Sequence, residues 1–386
     1  MPAATMRFML EALPVSPADP AAILPDLAAA LAGERSLLPL PAQDRSRAQQ
    51  LARTMRVGEE IDPEVALVVS TSGSTGTPKG ALLSGENLAS SAVATHNALH
   101  GPGAWLLALP AHHIAGLQVL IRSILAETTP TTLDVSGGFH LADFARATAQ
   151  ARRAAGEDPL YTALVPNQLH KALASLQGIE ALRLYDAILV GGGPTTESTR
   201  TAARRLGISV VCTYGSSETA GGCIYDGVPI EWASVKLTGQ HGRIHLGGPM
   251  VARGYRNVGP EDTDAFAHPG WFSTNDCGHI TDGLLQVTGR LDAIISSGGL
   301  KLHPEVLEQE LLNIAGVDTA CVTGIPDARL GQAIVAAYTG TARVGEIIEA
   351  LDHLPRWQLP KQLLRVDALP LTGPGKVDRR AVARLF

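Results

Sequence analysis

From Val65 onward, short apolar runs alternate with longer stretches whose apolar positions recur at helical spacing. The short runs Val65–Val69, Trp105–Ala108, Tyr161–Val165, Ala187–Val190 and Ser209–Thr213 predict strands. The longer stretches Asn87–Leu99, Leu141–Ala155, Asn167–Leu176 and Ser198–Leu206 predict helices between them. Such alternation argues for an α/β core. Upstream, residues 1–60 are rich in Ala, Leu and Pro, with helical spacing around Ala21–Leu31 and Ser46–Met55. Between Val228 and Ile280 the pattern changes to short strands punctuated by glycine, as in a small β-rich subdomain.

After residue 291 the pattern changes again, to a small α+β domain. Pro304–Ile314 reads as a helix with proline in its first turn. Strands are expected at Ala320–Thr323, Ile334–Tyr338 and Leu363–Val366, a helix at Val344–His353, and a Gly/Pro turn at Thr372–Gly375. The expected organisation is a large α/β domain with a β-rich subdomain, 1–291, followed by a small α+β domain, 292–386.

Composition narrows the function classes. Net charge is −6 with no basic block, so nothing marks a nucleic-acid surface. The most apolar stretch, Ala104–Ala126, is interrupted by His112, His113, Gln118 and Arg122, which predicts a strand and a core helix instead of a membrane span. No basic region followed by an apolar core marks a secretory signal. The four cysteines form no C-x-x-C pair, which fits reduced thiols and a cytoplasmic location.

The densest chemical signal is STSGSTGTPKG, Ser70–Gly80. Glycines let backbone N–H groups approach an anion, hydroxyls donate hydrogen bonds, and Lys79 adds charge. Lying between an apolar strand and a helix-like segment near Ser84, the run reads as a phosphate-gripping loop. The common nucleotide P-loop needs Gly-Lys-Ser/Thr, whereas the order here is Pro78-Lys79-Gly80. His112 and His113 invite a metal reading, but adjacent residues point in different directions and no third ligand lies nearby in sequence.

Further motifs follow in order: PAHHIAG (Pro110–Gly116), VGGGP (Val190–Pro194), YGSSET (Tyr214–Thr219), GWFSTND (Gly270–Asp276), GRLDAIISSGGLKLHPEVLE (Gly289–Glu308) and PLTGPGKVDRR (Pro370–Arg380). In this order the chain strongly resembles the superfamily of adenylate-forming enzymes, over roughly residues 65–380. The resemblance implies two half-reactions: a carboxylic acid and ATP give an acyl-adenylate and pyrophosphate, then CoA displaces AMP. It implies ATP, Mg²⁺ and CoA as cofactors or co-substrates, a small-molecule carboxylic acid as substrate, and a mobile C-terminal domain.

Residue by residue, Ser72, Ser74, Thr75, Thr77 and Lys79 resemble the loop that grips the outer phosphates. Lys376 resembles the adenylation lysine, which bridges the attacking carboxylate and the α-phosphate. Glu218 matches the acid that helps hold Mg²⁺. Tyr214 would stack near adenine, with Gly215, Ser216 and Ser217 beside it, and Gly191, Gly192 and Gly193 would line the base and acyl group. Asp276 matches the ribose carboxylate, Arg290 would also reach the ribose, and Asp292 lies at the hinge position. Asn275 replaces the usual glycine before Asp276; asparagine tolerates a positive φ, so a turn there can survive. His113 is the motif histidine beside the acyl carboxylate. Gly298 and Gly299 resemble the loop that swings in for the thioester step.

Within the superfamily, HHIAGLQ, VPNQLHKAL (Val165–Leu173) and ILVGGGP most resemble the o-succinylbenzoate–CoA ligases of menaquinone biosynthesis. Another aryl- or medium-chain acyl-CoA ligase, or a stand-alone protein that loads a carrier, remains open on these residues. Superfamily members are commonly longer, which implies a shortened N-terminal subdomain and leaves a homodimer as an expectation.

Overall fold

The computed structural model describes residues 8–71, 78–99, 101–258, 264–371 and 377–386. The chain divides into two compact units. The first comprises residues 1–195, 199–236 and 245–273; the second comprises 196–198, 237–244 and 274–386. The hairpin containing Asp276 and Arg290 thus falls with the C-terminal residues, whereas the motif reading set a boundary after residue 291. No helix among the described residues is long and apolar enough to cross a membrane.

The first unit contains the expected alternation. In its larger sheet, Val210–Ser216, Ala187–Val190, Leu160–Leu164, Ala104–Leu107 and Thr131–Thr132 lie side by side, all parallel. Gly221–Tyr225 and Val228–Pro229 extend it antiparallel. Buried side chains from Leu106, Phe144, Leu164, Leu169, Ile188 and Ala203 form the core between this sheet and its helices. The predicted helix Asn167–Leu176 is two helices, Pro166–Leu173 and Leu176–Leu182. Ser175 starts the second one, its hydroxyl accepting the Gly178 N–H at 3.1 Å, and an N-cap requires non-helical backbone.

A second sheet has the order Leu10–Val15, Ser36–Pro41, Val65–Thr71, Lys79–Ser84. Its first two strands are absent from the pattern reading. Pro14, Pro39 and Pro41 hide them, because proline within a run argues against a strand. Ser36–Pro41 pairs with Val65–Thr71 only at Leu37 and Leu67, before either of its prolines, and Leu10–Val15, which carries Pro14, is an edge strand with one side that needs no partner. Leu38, Leu51, Met55 and Val68 bury its face.

The loop after Val65–Thr71 also differs from expectation. It leads into another strand, Lys79–Ser84, and only then into the helix Gly85–Ala98. The two strands pair antiparallel, with Thr71 opposite Lys79. The two ends of the Ser70–Gly80 run therefore lie on paired strands, and residues 72–77 lie outside the described residues. Ser84 and Asn87 start the helix by a reciprocal cap, in which Asn87 N–H donates to Ser84 Oγ and Ser84 N–H to Asn87 Oδ1.

In the second unit, Trp271–Thr281 and Leu284–Arg290 pair antiparallel. A further sheet has the order Leu300–Leu302, Ile295–Ser297, Gly331–Gly340, Val317–Asp327, and Gln362–Arg365 adds parallel to Gly331–Gly340. Helices Pro304–Leu312 and Val344–Ala350 cover it. Leu307, Leu311, Val322, Ile334, Tyr338 and Ile347 make its core. Pro304–Leu312, Val317–Asp327, Gly331–Gly340, Val344–Ala350 and Gln362–Arg365 match predicted elements within a few residues. Ile295–Ser297 and Leu300–Leu302 are strands beyond those expected, and the turn expected at Thr372–Gly375 lies outside the described residues.

Candidate active site

The parallel strands of the first unit all run in one direction, so their C-terminal ends share an edge. Ala108–His113 follows Ala104–Leu107, Val165–Gln168 follows Leu160–Leu164, Gly191–Pro194 follows Ala187–Val190, and Tyr214–Glu218 closes Val210–Ser216. From Ala104–Leu107 the chain crosses to Thr131–Thr132 on one side and later to Leu160–Leu164 on the other. Ligands in open α/β sheets bind at such a switch point, outside the carboxyl ends of the strands. Gln168 bridges it: its amide nitrogen Nε2 donates to Ala108 C=O at 2.9 Å, while Val165 N–H donates to its Oε1 at 2.9 Å.

The motif residues of this unit gather along that edge. His113 precedes the helix Ile114–Leu125, its ring centroid 4.2 Å from that of His112. Burial holds His112 below the ordinary histidine value. Gly191 donates its N–H to Leu164 C=O at 3.2 Å. Gly215 lies opposite Gly222, and a side chain there would run into the Gly221 carbonyl. Ser216 Oγ is buried with no hydrogen-bond partner among the described residues, as expected of a group awaiting a polar ligand.

Glu218 sits in the short turn Ser217–Thr219 and is only 8% exposed. Tyr255 O–H donates to its Oε1 at 2.7 Å. Lys79 Nζ lies 5.4 Å from the centroid of the same tyrosine ring, so Tyr255 links the loop lysine to the buried acid. Phe266 holds that ring edge-on at 5.1 Å. Among the described residues no group of three or more His, Cys, Asp or Glu is placed to hold a metal alone. A single carboxylate with room for phosphate oxygens suits Mg²⁺, which is usually bound by one or two carboxylates plus substrate phosphates.

Tyr255, Arg256 and Asn257 carry no role in the motif reading. Their segment pairs with the strand that bears Lys79: Leu82 N–H donates to Gly254 C=O at 2.9 Å and Arg256 N–H to Gly80 C=O at 2.7 Å. Asn257 Nδ2 donates to Pro78 C=O at 2.8 Å, and Gly80 N–H donates to Asn257 Oδ1 at 3.1 Å. No sequence motif marks Tyr255-Arg256-Asn257; their partners are brought to them by folding. Ser72, Ser74, Thr75, Thr77 and Lys376 lie outside the described residues.

In the second unit, Asp276 and Arg290 are direct cross-strand partners. Thr274 Oγ1 accepts the Asp276 N–H at 2.9 Å and orients it. Arg290 engages Asp292 twice, Nε at 2.8 Å and Nη2 at 2.7 Å, and reaches Asp276 Oδ1 at 3.3 Å. The hydrogen bond to Asp292 raises its pKa. Asn275 does not use the left-handed tolerance expected of it; it lies inside Trp271–Thr281 without a positive φ, and its Oδ1 accepts from Arg243 at 3.3 Å. Gly298 and Gly299 have φ of 59° and 81° and join Ile295–Ser297 to Leu300–Leu302. Two positive φ values make this a two-residue hairpin turn, which by itself explains a Gly-Gly pair.

The AMP-binding enzyme family model matches residues 11–256, and the model for its C-terminal domain matches residues 306–376. A Mycobacterium tuberculosis protein named probable 2-succinylbenzoate–CoA ligase is 44% identical over 95% of both chains. A feruloyl-CoA synthase of Amycolatopsis is 30% identical, covering 93% of this chain and 76% of its own. Among solved structures, o-succinylbenzoate CoA synthetase from Bacillus subtilis, in complex with its acyl-adenylate intermediate, superposes with a TM-score of 0.83 at 22% identity. That match covers 98% of this chain and 89% of the other. By sequence and by fold, the chain belongs to the AMP-binding enzyme family.

Proposed function

We propose that this protein is an AMP-forming acid–CoA ligase whose acid is 2-succinylbenzoate. The observation that carries the reading is the 44% identity to a protein of that name across 95% of both chains. The geometry supports it. A carboxylate oxygen attacks the α-phosphorus of ATP and pyrophosphate leaves; the CoA thiol then attacks the acyl carbonyl, loses its proton, and AMP departs. The first step brings two anions together, so cationic and hydrogen-bonding groups must face them.

Lys79 and the hydroxyls of Ser72, Ser74, Thr75 and Thr77 would hold the outer phosphates. Glu218, oriented by Tyr255, would hold Mg²⁺. The ion would neutralise phosphate charge as the pyrophosphate leaves. Tyr214 would meet adenine, with Gly191–Gly193 and Gly215–Ser217 lining the nucleotide and acyl group. His113 would sit beside the carboxylate. Asp276 would take the ribose, held in place by Arg290. Lys376 would bridge carboxylate and α-phosphate, Asp292 would serve as the hinge, and Gly298–Gly299 would approach the pantetheine thiol. The free state of all four cysteines suits a reducing cytoplasm. A homodimer is an open part of the same reading.

A second reading is an aryl acid of another shape, favoured by the 30% identity to a feruloyl-CoA synthase. Pyrophosphate release across a panel of acids separates the two. Release with 2-succinylbenzoate, followed by CoA-dependent AMP formation, is the expected result. Stronger release with ferulate would move the assignment, and release with no acid would remove it. In Lys376→Ala, adenylation should fall by about 10²–10³, with thioester formation from supplied acyl-adenylate largely spared.

A further inference from the structure

We propose that Asn257 is a positioning residue for ATP: its side chain fixes both peptide groups that flank Lys79, and so sets where the Lys79 ammonium meets the phosphates. This rests on reading Lys79 as a phosphate ligand.

Lys79 begins its strand immediately after a loop rich in glycine and hydroxyl residues, a place where backbone is least constrained by its own pairing. The main-chain ladder from the neighbouring segment ends with Arg256 N–H donating to Gly80 C=O at 2.7 Å. Beyond that point the Asn257 amide replaces a peptide. It donates to Pro78 C=O at 2.8 Å and accepts from Gly80 N–H at 3.1 Å. One planar group thus supplies the donor and the acceptor that the peptides on either side of Lys79 require. Only this orientation of the amide satisfies both. Two residues back on the same segment, Tyr255 packs its ring against Lys79 and donates to Glu218. A single short segment, Tyr255–Asn257, therefore sets both the phosphate lysine and the acid assigned to the metal. Arg256, pointing the other way, donates to the carbonyls of Met55 and Glu60 at 3.1 and 2.9 Å and anchors the segment.

The test compares the wild type with Asn257→Ala and Asn257→Asp. Losing two hydrogen bonds to a loop that must meet charged phosphates should raise KM and Kd for ATP by roughly tenfold or more. KM for the acid, and thioester formation from supplied acyl-adenylate, should stay within about twofold. Aspartate keeps the acceptor for Gly80 but, when ionised, faces Pro78 C=O without a proton to donate. Asn257→Asp should therefore be impaired at pH 8 and should recover toward the wild type as the pH falls to about 5.5, where a carboxyl next to a carbonyl begins to take up its proton. Activities are taken as the variant-to-wild-type ratio at each pH, so the titration of Lys79, Glu218, Glu59 and Arg56, common to both proteins, cancels. An unchanged KM for ATP in Asn257→Ala, or an Asn257→Asp ratio flat with pH, would overturn the clamp. A merely structural role would lower the melting temperature and affect all substrates alike. Wild-type protein that binds no Mg²⁺-ATP in calorimetry would overturn the reading of Lys79 together with the clamp, whereas wild-type binding with unaffected variants overturns the clamp alone.

Discussion

Each unit buries a guanidinium, and the two do so in opposite ways. In the first unit Arg122, 3% exposed, stacks on Trp105 with Cζ 5.1 Å from the ring centroid. No carboxylate pairs with it among the described residues, and its Nε has no hydrogen-bond partner there. Burial pushes its pKa down, and the same burial, aided by the Arg122 charge, pushes the neighbouring His96 down to about 4. In the second unit Arg379 donates to Glu305 at 3.0 Å, to both oxygens of Glu308, and to Val322 C=O at 2.7 Å. Burial works against this charge as well, but Glu308 and Glu305 outweigh it and raise the Arg379 pKa. Around Arg122 a buried cation lies without a carboxylate among the described residues, whereas around Arg379 two carboxylates share one cation. The difference teaches that a buried charge is stabilised by whatever surrounds it, an aromatic face or a carboxylate pair. The two solutions respond oppositely to mutation and to protons.

The largest effect should come from Arg379→Ala. It leaves Glu305 and Glu308 half-buried without their cation, a change that costs about 3 kcal/mol. Arg379 also lies three residues after Lys376, so on the proposed role of that lysine adenylation should fall as well. Hydrogen exchange over Pro304–Leu312 should rise while exchange over Gly85–Ala98 stays unchanged. Unchanged protection of the first segment would mean that the carboxylates do not depend on Arg379.

Next in size is the response to pH, with opposite signs in the two units. Folded His96 resists a proton that the unfolded chain takes below about 6.5. Its contribution is complete above that value and is lost as the pH falls toward about 4, an effect of the order of 2–3 kcal/mol. Burial raises the pKa of Glu305, whose Oε2 is buried without a partner. Its contribution is present below the ordinary glutamate value and is lost as the pH rises through the raised one. Acidification should therefore loosen Gly85–Ala98 before Pro304–Leu312. His96→Asn should flatten the first response and leave the second intact; an equal response in both segments would erase the contrast.

The smallest effect should come from Arg122→Met. Replacing a buried, unpaired cation by an apolar chain of similar length should change stability by about 1 kcal/mol or less, in either direction. A loss above about 3 kcal/mol in thermal unfolding would show that Arg122 has a charge partner and behaves like Arg379.

Much of the fold is legible in the pattern of residues. The runs at Trp105, Tyr161 and Ala187 become the parallel strands because short, fully apolar segments suit a sheet covered on both faces. Leu10–Val15 and Ser36–Pro41 are hidden by prolines, which the edge position of the first strand and the single pairing of the second with Val65–Thr71 accommodate. The order of the motifs likewise identifies Lys79, Glu218, Asp276 and Arg290 as site candidates. Tyr255 and Asn257 have no comparable local signal of purpose. Their partners, Glu218 and the Pro78–Gly80 peptides, are brought to them only by folding.

By itself the sequence determined the family, the alternation of strands and helices, and the residue types proposed to face phosphate, ribose and metal. Those depend on local propensity and on motif order, both written along the chain. Tertiary structure decided that the two ends of the anion loop lie on paired strands, that Gln168 spans the switch point, that Arg290 grips Asp292 more closely than Asp276, and that Asn257 brackets Lys79. These depend on which distant groups meet at hydrogen-bonding distance. A hydrogen bond is sensitive to a few tenths of an ångström, whereas a hydrophobic pattern tolerates much larger displacements.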